Sequence, residues 1–226
     1  MLRAYALALT QLADRQVLRI FLKSLGVTVL LFVVLGLIGV WAADRFMAWA
    51  GFDEGLVAGA GDLRAMLAAV GVLAAGVLLW RVLAIAVLQL FADEVVQAVE
   101  ARHYPQAAAS ARKLGWHEEL ANGLKGAGRA LLFNLLALPF ALVLLVTGVG
   151  APLVFLAVNA VLLGRELQDM VWLRHRPSAQ SAAPLSVLQR LTLGGISAVL
   201  LSVPFANLFA PFLGAAAAAH LIHRKD

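Results

Sequence analysis

Residues Ser202-Val-Pro-Phe-Ala-Asn-Leu-Phe-Ala-Pro211 set two prolines and an asparagine inside an apolar run that extends from Leu191 to Ile222. A helix needs about 20 apolar residues to cross the roughly 30 Å hydrocarbon core of a bilayer. Leu191 to Val203 is 13 residues and Leu208 to Ile222 is 15, about 20 and 22 Å as helices. The run therefore reads as a partly penetrating hairpin that turns at Pro204. Lipid cannot satisfy the backbone groups freed at such a turn, so its tip is expected to be buried in protein or to line a wet cavity. Asn207 is placed to cap the helix that follows, and Pro211 to sit in that helix's first turn. A helix N-terminus at membrane depth offers N–H groups and the positive end of its dipole to an anion.

The same device recurs upstream. Between Arg129 and Arg165 lie 35 uncharged residues, interrupted by Pro139, Gly148-Val-Gly150 and Pro152. This is too long for one span and reads as a second hairpin over 130–163, with Pro152 in a first helical turn.

Working outward, 62% of the 226 residues are hydrophobic and only 14% charged, more apolar sequence than a soluble domain of this size requires. The absence of cysteine excludes disulfides and thiolate metal sites. The net charge of +5 is attributed to loops facing anionic lipid rather than to nucleic acid. Residues 1–23 predict an amphipathic interfacial helix with Gln11, Arg15, Arg19 and Lys23 on one face. Because Asp14 and other polar residues precede the apolar run 24–43, that run is expected to be a retained span, not a cleaved signal. Asp44–Arg64 is a glycine-rich loop. Residues 65–92 predict a second transmembrane helix, continuing through Asp93–Arg102 and ending at Tyr104-Pro105. Short helices are expected over 106–129. The whole chain, 1–226, is thus one all-α membrane domain: two long transmembrane helices, two proline-broken hairpins (130–163 and 191–222) and the amphipathic N-terminal helix.

Loop charge sets the expected topology. The 44–64 loop carries two Lys or Arg, the 93–129 region five and the 165–190 loop four, with Arg224 and Lys225 in the tail. The positive-inside rule puts both termini and the two later loops in the cytoplasm.

Candidate anion-binding residues are Arg19, Arg81, Asn159 and Asn207. Arg19 can donate charge-assisted hydrogen bonds, weighed against snorkelling to headgroups beside Arg15 and Lys23. Arg81 falls near the inner end of the second span. The two asparagines are weighed against capping and helix–helix bonding. Arg165 and Asp169 are one turn apart and are expected to pair. His220 and His223 have metal-ligand spacing, but only Asp226 is close enough in sequence to complete a set, so no metal and no cofactor is expected. Asp93-Glu94 and Glu118-Glu119 are neighbours that do not face each other on a helix, and no nucleophile–base order stands out. An enzyme is not expected. The small-residue run Gly214–Ala219 suits close helix packing.

Five stretches together resemble the bacterial CysZ-type sulfate permeases and the wider etoposide-induced-protein membrane family. They are Leu18-Arg-Ile-Phe21, Phe91-Ala-Asp-Glu-Val-Val-Gln-Ala-Val-Glu-Ala-Arg-His-Tyr-Pro105, Gly150-Ala-Pro152, Asn159-Ala-Val-Leu-Leu-Gly-Arg-Glu166 and Val203-Pro-Phe-Ala-Asn-Leu-Phe-Ala-Pro211. The resemblance implies an oligomeric inner-membrane permease or channel taking up sulfate for cysteine synthesis. It implies sulfate binding at Arg19, with Val17 and Ile20 standing where the family pattern has Gly and a second Arg. The expected partners are the lipid bilayer, a small oxyanion and further copies of the chain. The alternative is a non-transporting membrane scaffold that organises partners or lipid.

Overall fold

The structure, a computed structural model, describes residues 1–49, 60–178 and 180–224, and every regular element among them is helical. The chain begins with α1 (Leu2–Gln11), α2 (Arg15–Trp49) and α3 (Ala60–His103). It continues with α4 (Pro105–Ser110), α5 (Trp116–Leu144), α6 (Gly150–Trp172), α7 (Val187–Ser202) and α8 (Ala206–His223). A 3-10 turn, Leu145–Thr147, extends α5. Among the described residues, four helices are long and apolar enough to cross a membrane: α2, α5 with its 3-10 extension, α6 and α8. The 16 residues of α7 fall short.

The expected single helix over 1–23 is broken at Leu12–Asp14. The Asp14 carboxylate accepts a hydrogen bond from the Gln16 N–H at 2.8 Å. It thereby caps α2 in the manner that Asp favours at helix starts, and it also pairs with Arg102. The buried residues of α1, Ala4, Tyr5, Ala8 and Gln11, recur at helical spacing and pack on α8. Gln11 is therefore inside, not on a basic interfacial face with Arg15, Arg19 and Lys23. The expected 44–64 loop is shorter, because Asp44 and Arg45 lie on α2 and Asp62 and Arg64 on α3. Gly51, Asp53, Glu54, Gly55 and Gly59 lie outside the described residues. Tyr104-Pro105 ends α3, with Pro105 opening α4 at the position where its missing N–H costs nothing.

Two prolines do not break helices. Pro139 lies inside α5 and Pro211 inside α8, as neighbouring structure permits in membrane helices. At 29 and 23 residues, α5 and α6 reach about 43 and 34 Å, so the 130–163 hairpin has arms long enough to cross. Both hairpin turns are present, Gly148–Val149 and Val203–Phe205, and in the second hairpin α7 stays short of a crossing. Gly148 has φ 73°, a conformation glycine adopts freely.

The residues form two compact units, Met1–Ile20 with Gln89–Asp226, and Phe21–Leu88. In the second, Gly39 lies against Val72 and Gly76 against the Phe32 ring, so missing side chains let two apolar helices approach. In the first, α8 is the central rod: Ala210 to His220 is buried throughout, against α1, α6 and α7. The run Gly214–Ala219 makes this possible, since a Cβ on Gly214 would meet Leu167 and Ser197 at 3.0 Å. At the α6–α7 crossing a Cβ on Gly194 would strike the Ala160 carbonyl and the Gly164 backbone. By contrast α5 buries no residue, and its leucines face outward, as befits a helix whose solvent is lipid.

Candidate functional site

Polar residues gather where α3, α5 and α6 and the segment leading into α7 meet within the first unit. They line a cavity of about 770 Å³, a volume in the range of small-molecule sites. Asp93 comes from α3; Asn122, Lys125 and Arg129 from α5; Arg165, Glu166, Gln168 and Asp169 from α6; Arg176, Ser181 and Arg190 from the chain beyond. These include five cations against three carboxylates. Asp169 is shared, 3.6 Å from Arg129 and 3.7 Å from Arg165, so the expected one-turn pair forms and a second arginine joins it. Arg176 donates to Glu118 at 2.8 Å. Arg112 grips the same carboxylate through both guanidinium nitrogens at 2.7 and 2.9 Å, the fork geometry that arginine provides. Asn122 Nδ2 and Gln168 Oε1 are buried without a hydrogen-bond partner among the described residues. Such groups carry an unmet desolvation cost and are available to a polar guest.

The three sequence-derived anion candidates whose side chains are described, Arg19, Asn159 and Asn207, do not share a site. Arg19 is exposed on the first turns of α2. The Asn159 amide donates to its own helix at Phe155 O, 2.8 Å away. Asn207 is buried, but it is the second residue of α8 and not its cap; Phe205 holds the cap position without a side-chain bond. The side chain of Arg81, on α3, lies outside the described residues, as does Asp226.

The helix starts at the two turns are also less open to an anion than expected. Gly150 N–H donates to Thr147 Oγ1 at 2.8 Å, and Pro152 has none to give. At the second turn the N–H groups of Ala206, Asn207 and Leu208 donate to Pro204, Val203 and Phe205 carbonyls. The turns satisfy themselves, so their tips need no protein cover: Val149 is 64% and Phe205 83% exposed.

A second constellation joins the last turn of α3, the turn after α6 and the last turn of α8. Glu100, whose side chain is fully buried, receives His175 Nε2 and His223 Nε2 on one oxygen, each at 2.9 Å. Arg174 Nη1 stands 3.3 Å from the other oxygen. Burial works to raise the Glu100 carboxyl, but the hydrogen bonds from His223 and His175 and the Arg174 charge together hold it below its ordinary value. Beside this group His220 is held through both ring nitrogens, by Gln11 at 2.7 Å and Tyr104 at 2.8 Å. The two histidines singled out by spacing thus serve different ends. The carboxylate that joins His223 lies 123 residues away, beyond any spacing argument.

Compared with known proteins, the chain matches over residues 4–211 the model of one family, described as Sulfate transporter CysZ/Etoposide-induced protein 2.4. No curated protein and no solved structure matches it significantly.

Proposed function

Because this chain belongs to the sulfate transporter CysZ/etoposide-induced protein 2.4 family, we propose that it is a permease or channel for a small oxyanion, sulfate first, serving cysteine synthesis across a bacterial inner membrane. The observation that carries the reading beyond membership is the cation-rich cavity between α3, α5 and α6. A dianion leaving water loses hydration that must be replaced by charged donors and dipoles. Arg129, Arg165 and Arg190 supply such donors, and the unpartnered Asn122 Nδ2 adds a neutral one. Conduction requires binding that is weak enough to reverse. The carboxylate of Asp169, divided between Arg129 and Arg165, moderates their pull in this sense.

The cavity draws on the two segments richest in Lys and Arg, which the positive-inside rule assigns to the cytoplasm together with both termini. It is accordingly the inner vestibule, and Arg19, at the start of α2, is a separate contact for the anion near the same face. The outward leucines of α5 and the exposed turns are surfaces for lipid and for further copies of the chain.

The test is radiolabelled sulfate flux into vesicles reconstituted with the purified protein. Flux above protein-free vesicles, reduced several-fold by the double substitution Arg129→Gln with Arg190→Gln, is expected. A well-folded protein with no flux of sulfate or related oxyanions would overturn the reading in favour of a scaffold.

A further inference from the structure

We propose that Glu100, His175 and His223 form a binding site for one divalent transition-metal ion, Zn²⁺ first, which ties the ends of α3 and α8 to the turn after α6. The three ligand atoms lie within 4.8 Å of one another. The imidazole rings meet edge to face, 85° apart with centroids 4.6 Å apart, so the nitrogens approach the carboxylate from different directions, as ligands around one ion must. Zinc binds imidazole nitrogen at about 2.0–2.1 Å and carboxylate oxygen at about 2.0–2.2 Å, which sets tetrahedral ligand atoms about 3.3 Å apart. The present 2.9 Å separations need open by only a few tenths of an ångström. Two histidines and one carboxylate are a familiar zinc donor set, with water as the fourth ligand; side-chain exposures of 10% for each histidine admit one.

The competing account is a buried carboxylate neutralised by Arg174. An ion pair built for that purpose would use parallel hydrogen bonds from the guanidinium fork. Instead Glu100 Oε2 and Arg174 Nη1 are both buried with no hydrogen bond, although 3.3 Å apart. The oxygen that is well supplied is Oε1, the one on which both Nε2 atoms converge. Arg174 then restrains Oε2 and aims Oε1, the supporting role that partners of metal-bound carboxylates take. Its positive charge also opposes a cation, which favours modest affinity.

The experiment uses the purified full-length protein, stripped with chelator, and Zn²⁺ alone as the probe. Calorimetry should give one ion per chain and a zinc-dependent rise in melting temperature. His175→Ala and His223→Ala should each lower affinity at least about tenfold, the double variant should abolish the thermal shift, and His117→Ala, on α5, should leave both unchanged. Should Glu100→Gln or the double variant fail to fold, zinc-edge X-ray absorption on the unsubstituted protein decides: two imidazoles and a carboxylate support the site, a shell without imidazole overturns it. No binding when Zn²⁺ is titrated to a large excess over protein, or binding unchanged in a folded double variant, likewise overturns it.

Discussion

Tyr5 joins the first turns of the chain to a helix almost two hundred residues on. Its hydroxyl donates to the Leu193 carbonyl at 2.9 Å and lies 3.2 Å from Ser197 Oγ, and the residue is buried. Burial raises the phenol above its ordinary value of 10.0, and the Ser197 hydrogen bond only partly offsets this. The sign of the linkage follows: below pH 10 the contribution of the neutral phenol is complete. As pH rises through the raised value, the unfolded chain gives up its proton first, so stability declines. Tyr5→Phe should cost about 1 kcal/mol at neutral pH and flatten part of the alkaline decline, measured by thermal unfolding in detergent between pH 8 and 11. An unchanged alkaline limb in the variant would assign that decline elsewhere. Nothing in the sequence marks Tyr5 as the partner of Leu193. Helical periodicity records that a residue faces inward, and the apolar pattern of α1 is compatible with lipid, with the interface or with α8 alike.

Helix boundaries were legible where the chain chemistry forces a turn. Gly148 takes a positive φ, Pro204 occupies the second turn and Pro105 opens α4, all as their residue types favour. Length was not legible, because proline inside a membrane helix need not end it: Pro139 and Pro211 remain helical, and α5 and α6 are long enough to cross. The capping role given to Asn207 failed for a related reason. Phe205, at φ 65°, takes the positive-φ residue of the turn, which advances the helix start by two positions, from Leu208 to Ala206. A bulky side chain there costs about 1–2 kcal/mol, so Phe205→Gly should leave stability unchanged or raise it by up to about 1 kcal/mol; a clear loss would mean that the exposed ring contributes more than the strain removes. The α6–α7 crossing gives a sharper contrast. A Cβ on Gly194 would meet backbone of Ala160 and Gly164, whereas one on Gly195 would find only Ala160 Cβ at 3.8 Å. Gly194→Ala should therefore cost at least about 1–3 kcal/mol, and Gly195→Ala little. Equal effects would show that the two helices separate readily.

At the scale of the whole molecule, membrane residence and an all-helical fold follow from composition alone, since 62% hydrophobic content leaves few alternatives. The polar groupings do not follow, because each is assembled from helices far apart in sequence: Glu100 meets His175 across 75 residues, and Asp169 answers both Arg165, one turn away, and Arg129 on another helix. A pairing at i,i+4 is visible in sequence; a second cation arriving from α5 is not. That shared carboxylate supplies a decisive test of the cavity as an anion site. Replacing Asp169 with Asn leaves the shape nearly intact but returns the charge of Arg129 and Arg165 to the cavity, and replacing Arg190 with Gln withdraws a charge from it. If sulfate is held there electrostatically, Asp169→Asn should lower the half-saturating sulfate concentration for flux and Arg190→Gln should raise it. Both shifts should shrink as ionic strength rises toward the range where the screening length falls to about 3 Å. Because sulfate carries two charges, opposite directions are required of the two variants. If both weaken flux in the same direction, with folding unchanged, the arginines and carboxylates are a structural ion-pair network and the anion path lies elsewhere.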